Sequence, residues 1–169
     1  MRAADEDAFG DFVRARYAGL LRYAYLLSAD RGLAEDLVQD ALARTYGAWG
    51  RVGAPEAYAR TTLVRLALRG RRRRWRAETP TDRPPELPAA TDDLDLAASV
   101  RVALAGLPVE QRAVLVLRYW EDRSEREIAE ALDCSPGTVK SRAARGLAAL
   151  RAAGLLDGVL EGEPHDRGA

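Results

Sequence analysis

Arg65, Arg69, Arg72 and Arg76 recur at spacings of four, three and four, so they fall on one face of a helix. Guanidinium groups in a row pair with phosphate oxygens in two-point contacts, which a lysine stripe would not do as well. Arg60 lies five residues upstream, and Val64, Leu68 and Trp75 are read as flanking the stripe. Arginines interleaved with apolar and aromatic side chains suit single-stranded nucleic acid, whose bases stack or insert for about 1–3 kcal/mol each. A solvated charge run and an anionic membrane surface are the other uses of such a helix, but the apolar side here is small and is needed for a core.

A second cationic set is Lys140, Ser141, Arg142 and Arg145, within GTVKSRAARGLAALR. Thr138, Ser141, Arg145 and Ala148 point one way, Val139, Ala143, Leu147 and Leu150 the other, and Lys140 and Arg142 flank the outer surface. The result is a narrow, small-headed ridge suited to a major groove, where Arg and Lys read guanine and Ser offers either polarity. Chemistry of other kinds finds no support. His165 is the only histidine and Cys134 the only cysteine, and no metal-ligand or phosphate-loop spacing occurs. The expectation is a binding protein, not an enzyme, with no cofactor.

Helices must carry both sets. Ser124 and Glu127 form a capping box ahead of Ile128, Ala129 and Leu132, Asp133 and Cys134 make a turn in which Asp tolerates positive φ, and Ser135 then caps a helix with Pro136 in its first position. This is the pattern of a helix-turn-helix; the plainer alternative is a helical hairpin with a solvated charged face. Residues 7 to 28 read as one broad apolar helix, or two broken near Gly19. After a turn at 30 to 32, a second helix has Leu33, Leu37, Ala41, Leu42, Thr45 and Trp49 inward, and Asp36, Gln39, Asp40 and Ala43 outward. Gly47, Gly50, Gly53 and Pro55 interrupt the chain, and a third helix from Ala57 turns Ala59, Leu63, Leu66, Ala67 and Gly70 inward.

Residues 77 to 96 hold Pro80, Pro84, Pro85 and Pro88 among acids, which makes a semi-extended linker. Beyond it Leu96, Val100, Ala103 and Leu104 mark one helix, and Val109 to Trp120 another whose apolar residues are Ala113, Val114, Leu117 and Trp120. The fold class expected is all-α: two small helical domains, 1–76 and 97–152, joined by an acidic linker at 77–96, with a short tail at 153–169 that carries no large regulatory domain. The 169 residues balance to a net charge of zero, but eight arginines and no acid lie between Arg60 and Arg76, whereas six acids lie between Glu78 and Asp95. One cysteine excludes an internal disulfide framework, no apolar run is long enough to span a bilayer, and the N-terminus lacks the form of a signal peptide. A cytoplasmic protein without membrane insertion is expected.

The order LAEDLVQDALARTYGAW, PEAYARTTLVRLALRGRRRRW, a Pro-rich linker, and LAGLPVEQRAVLVLRYWEDRSEREIAEALDCSPGTVKSRAARGLAAL closely resembles bacterial sigma factors of the extracytoplasmic function group, in the sigma-E-like branch whose first domain ends in an arginine run and Trp. The resemblance spans about residues 7 to 152. It implies a factor that binds core RNA polymerase and directs promoter-specific initiation. Asp36, Gln39 and Asp40 match the segment that docks on the β′ clamp helices; the loop 50 to 56 and the helix carrying Arg60, Arg65, Arg69 and Arg72 match the part that captures unpaired bases of the −10 element; and Lys140, Ser141, Ala144 and Arg145 match positions that read the −35 element as duplex, with Arg142 flanking them as a further DNA-binding residue. The β subunit, promoter DNA and an anti-sigma factor are the further partners implied. Arg65 departs from the Asn usual in the family, as Ala143 and Ala144 do from bulkier residues. From the residues alone, a free-standing helix-turn-helix repressor or response-regulator output protein is the alternative.

Overall fold

The computed structural model describes residues 3–76 and 101–154, with side chains described for 5–70 and 101–154. The expected linker at 77–96, the helix start with Leu96 and Val100, the tail with His165, and the side chains of Arg72, Trp75 and Arg76 lie outside those residues. Among the described residues the regular structure is entirely helical.

The first half is a bundle of α1 (Ala3–Ser28), α2 (Arg31–Ala48) and α3 (Pro55–Arg76), each packed on the other two. Gly19 does not interrupt α1, since a single glycine costs a helix only about 1 kcal/mol and the apolar stripe continues through it. Asp30 caps α2 by accepting from the Leu33 amide at 2.7 Å. Leu20, Tyr23, Ala24 and Leu27 meet Ala34, Leu37, Val38 and Ala41 of α2, and Ala59, Leu63 and Ala67 of α3, in the buried core. Thr45 is fully buried among them, its hydroxyl donating to the Ala41 carbonyl at 2.8 Å, so its polarity is satisfied within the helix. Val64 is also fully buried and does not flank the arginine stripe, because it stands one residue from Leu63 on a face that packs against both α1 and α2.

An aromatic cluster closes one end of the bundle: Phe9 meets Tyr46 and Trp49 edge-on at 4.9 and 5.0 Å, and Phe12 lies 5.3 Å from Trp49. It anchors the end of α2 just before Gly50 takes a φ of 80° and the chain turns toward α3.

The second half holds α4, of which 101–105 are described, then α5 (Val109–Leu115), α6 (Glu125–Leu132) and α7 (Pro136–Ala152). The expected capping box of Ser124 and Glu127, the left-handed Asp133 at φ 51° and the Ser135 cap all form. Gly146 lets α7 approach α5 closely: a Cβ there would stand 2.9 Å from Leu115 Cδ1.

The helix expected from Val109 to Trp120 is α-helical only to Leu115. Val116–Trp120 form a π turn, in which the Glu121 amide donates to the Val116 carbonyl at 3.3 Å. One extra residue in the turn rotates the downstream chain by about 100° relative to an α-helix. Trp120, expected beside Ala113 and Leu117 in the core, is therefore 55% exposed, and Glu121 is turned inward until its side chain is only 5% exposed.

The two halves touch. α5 packs against α1 and α3, and α6 against α3, within one continuous buried cluster. Buried Arg112 spans the contact, donating through Nη1 to the Leu27 carbonyl at 2.9 Å and through Nη2 to those of Ala105 at 3.0 Å and Leu107 at 2.9 Å. Leu27 is in the last turn of α1 and residue 105 ends α4, so one guanidinium serves two helix C-termini, where orphan carbonyls and the helix dipole both favour a cation.

Candidate nucleic-acid interface

Two cationic faces and one acidic face emerge. On α3, Arg65 and Arg69 are exposed and open onto a cleft of about 130 Å³ between α2 and α3, lined also by Arg44, Tyr58, Thr61, Thr62 and Leu66. Three guanidinium groups, two hydroxyls and a Tyr ring that is 37% exposed offer phosphate pairing, hydrogen bonds and a stacking surface in one concavity. Arg44, Tyr58, Thr61 and Thr62 were not among the residues expected. Tyr58, Thr61, Thr62, Arg65 and Arg69 follow helical spacing along one face, a polar repeat that could have been read beside the arginine one.

Arg60 sits differently. Its side chain is only 29% exposed, paired with Glu56 at 2.7 Å and with Glu121 of the second half at 3.7 Å, and its guanidinium lies 5.5 Å from the ring centre of Tyr23. Glu121 also holds Arg123 at 2.6 Å. The Tyr23 hydroxyl is buried toward this group; burial first, then the Glu121 carboxylate, push its pKa far above the ordinary tyrosine value, so it stays neutral. Arg65 reaches the second half as well, its Nε donating to the Ala131 carbonyl of α6 at 3.4 Å.

On α7, Lys140, Ser141, Ala144 and Arg145 are exposed on one surface, with Arg142 half-buried at its side. Ser135 accepts from the Thr138 amide at 3.1 Å and fixes the start of the helix, and the Ser141 hydroxyl is tied to the Thr138 carbonyl at 3.1 Å. Exposed Lys140 lies 3.6 Å from half-buried Glu125, which Arg118 also holds at 3.1 Å. Ala143 is buried against the core, so its small size is a packing feature and Ala144 alone leaves the outer surface low. On α2, Asp36, Gln39 and Asp40 are exposed, whereas Leu37, Val38 and Ala41 are buried, and the acidic patch they form lies one helical turn before Arg44 of the cleft. Among the described residues no cluster could hold a metal ion, and no helix is long and apolar enough to cross a membrane.

Comparison with known proteins matches two family profiles, Sigma-70 region 2 over residues 12–77 and Sigma-70 region 4 over residues 97–150. The chain is 42% identical over 148 residues to the RNA polymerase sigma-E factor of Streptomyces coelicolor, covering 85% of this chain and 84% of that protein. It is 33% identical over 153 residues to the ECF RNA polymerase sigma factor SigM of Mycobacterium tuberculosis, covering 88% and 78%. Among solved structures it is similar to the sigma factor RpoE of Bartonella quintana, crystallised with the anti-sigma factor NepR, at a TM-score of 0.69 and 26% identity over 89% of this chain and 98% of that one. It is similar also to CnrH, solved with the cytosolic domain of CnrY, at a TM-score of 0.54 and 25% identity over 90% of both chains.

Proposed function

The chain belongs to the extracytoplasmic function sigma factors of the sigma-70 family, and from that membership we propose how its three faces divide the work of promoter-specific initiation. Residues 1–76 act as the domain that docks on polymerase and holds the unpaired −10 strand, 77–96 as the linker, and 97–152 as the domain that reads the −35 duplex. The observation that carries this reading is the separation of a concave, stacking-capable cationic cleft on α3 from a low cationic ridge on α7. The first suits single-stranded nucleic acid and the second a major groove.

No step is catalysed by this chain. Phosphate contacts of Arg142 and Lys140 set the register of α7, while Ser141, Ala144 and Arg145 face base edges. Arg44, Arg65 and Arg69 pair with the backbone of the single strand, and Tyr58 supplies a ring for an unstacked base. Extruding a base costs a few kcal/mol, which such a pocket offsets. Asp36, Gln39 and Asp40 dock on the β′ clamp helices, the β subunit receives the second domain, and an anti-sigma factor competes for these surfaces in the cytoplasm. Because the two DNA elements are read by tethered domains, avidity rises only at spacings the geometry allows.

Run-off transcription with core polymerase and a promoter library tests the assignment. The parent should yield specific transcripts, and a folded Asp36→Arg, Gln39→Ala, Asp40→Arg variant should yield none. Equal transcription from that variant would remove the acidic face from the mechanism.

A further inference from the structure

We propose that Glu125 is a positioning residue for Lys140 and thereby sets promoter discrimination: it holds the ammonium where a phosphate reaches it only when α7 is seated in its own element. The inference rests on the duplex-reading assignment of α7. Glu125 opens α6, directly after the Ser124 cap, and its two oxygens meet two cations from other segments. Oε1 accepts from Arg118 Nη1 of the π turn at 3.1 Å, and Oε2 lies 3.6 Å from Lys140 Nζ of α7. Arg118 is steadied in turn by the Tyr119 ring, whose centre is 5.8 Å from its guanidinium carbon. Among the described residues neither Arg142 nor Arg145 is paired with an acid, so of the ridge cations Lys140 alone is held in this way.

Lysine is a point charge on a flexible stem, and left free it follows any phosphate within reach. Contacts of that kind raise affinity for every sequence alike. Lys140 has a side chain 68% exposed against 30% for Glu125, and Arg118 holds the acid as well, so Glu125 is the fixed member of the pair and the ammonium the mobile one. An ammonium has three donors, so at a matching element it keeps the acid and gains a phosphate. On a mismatched duplex α7 sits in another register or at another depth, and the nearest phosphate stands elsewhere. Reaching it then means leaving Glu125. Ordering the lysine in the free protein also spares the correct complex that cost.

The test is run-off transcription at limiting holoenzyme on two templates: the best promoter of the library, and the same promoter with its −35 element scrambled. A surface ion pair shifts an equilibrium by up to about fivefold, which sets the scale. Glu125→Gln keeps the shape and frees the lysine. Transcript from the scrambled template should rise about threefold while the best promoter gains nothing, and higher salt should remove the rise, since it comes from an added phosphate contact. Glu130→Gln makes the same change in net charge at an acid paired with Arg126, and should match the parent. Lys140→Ala should lower the best promoter severalfold and the scrambled template hardly at all. In that background Glu125→Gln should add nothing.

An equal rise on both templates makes Glu125 a plain competitor for the lysine and overturns the proposal. So does an equal rise with Glu130→Gln, or a full effect of Glu125→Gln when Lys140 is absent. Should Glu125→Gln fail to fold by circular dichroism, Lys140→Ala decides by itself. Equal losses on both templates overturn the positioning role and leave the duplex-reading assignment standing, whereas no loss on either removes Lys140 from the duplex and that assignment with it.

Discussion

Replacing Arg112 with methionine keeps the length and apolar stem of the side chain and deletes all its donors, so it isolates what the guanidinium does at the contact between the halves. Three carbonyls lose a charged donor now held at 2.9 to 3.0 Å. The bonds to Leu27 and Leu107 are buried, whereas that to Ala105 is partly open and its carbonyl can turn to water. Each buried acceptor left alone costs about 1–3 kcal/mol, so two give roughly 2–6 kcal/mol. Methionine also relieves the cost of burying a cation, which returns part of this. The net loss should be about 2–4 kcal/mol, a large share of the 5–15 kcal/mol typical of a domain. Urea unfolding followed by far-ultraviolet circular dichroism measures it as a fall in midpoint at nearly constant slope. Arg112→Lys should recover only part, because one compact ammonium cannot serve three diverging carbonyls. A loss under about 0.5 kcal/mol for the methionine variant would refute the reasoning, since desolvation would then cancel the bonds entirely.

The same structure sets three further outcomes. Glu127 is held below the ordinary glutamate value of 4.5, first by the Ser124 hydroxyl and then by its amide; a depressed folded pKa gives stability that is present above the ordinary value and lost as pH falls through the lowered one. Side-chain titration by nuclear magnetic resonance should show that Ser124→Ala moves Glu127 back up, and an unmoved Glu127 would dissociate the box from the shift. Gly146→Val should destabilise by about 1–3 kcal/mol in thermal melts, because its Cβ meets Leu115 Cδ1 at 2.9 Å in a closely packed core; a stabilised variant would mean that α7 can move away freely. Arg44→Ala should weaken single-strand binding and lower the slope of log affinity against log salt by about 0.7, and an unchanged slope would take Arg44 off the strand.

Local chemistry was the most legible part of this chain. The capping box at Ser124, the left-handed Asp133 and the Ser135–Pro136 start are each decided within a few residues, and each forms as its residues direct. The inward stripes of α2 and α7 came from periodicity alone, apart from Leu33, Leu42, Trp49 and Leu147, which are half-buried at the margins. What periodicity could not supply was a change of period. The π turn at Val116–Trp120 has no residue-level signature here, yet it inverts the fates of Trp120 and Glu121. Val64 failed for a related reason: a helix wedged between two neighbours buries a wider arc than a single stripe allows.

The arginines show the deeper limit. Their type and spacing mark a surface for phosphate, but which anion each one meets depends on packing between residues far apart in the chain. Arg60 and Arg65 look equivalent along α3, yet one is paired to Glu121 and the other reaches a carbonyl of α6, while Arg69 is exposed and touches neither. One acid of the second half, Glu121, sits against one cation of the first, Arg60. A protein that carried the same arginines unopposed would bind nucleic acid through phosphate attraction alone, with little regard to sequence. Pairing Arg60 internally draws down part of that attraction, and in the reading proposed above discrimination falls to the few side chains on α7 assigned to base edges.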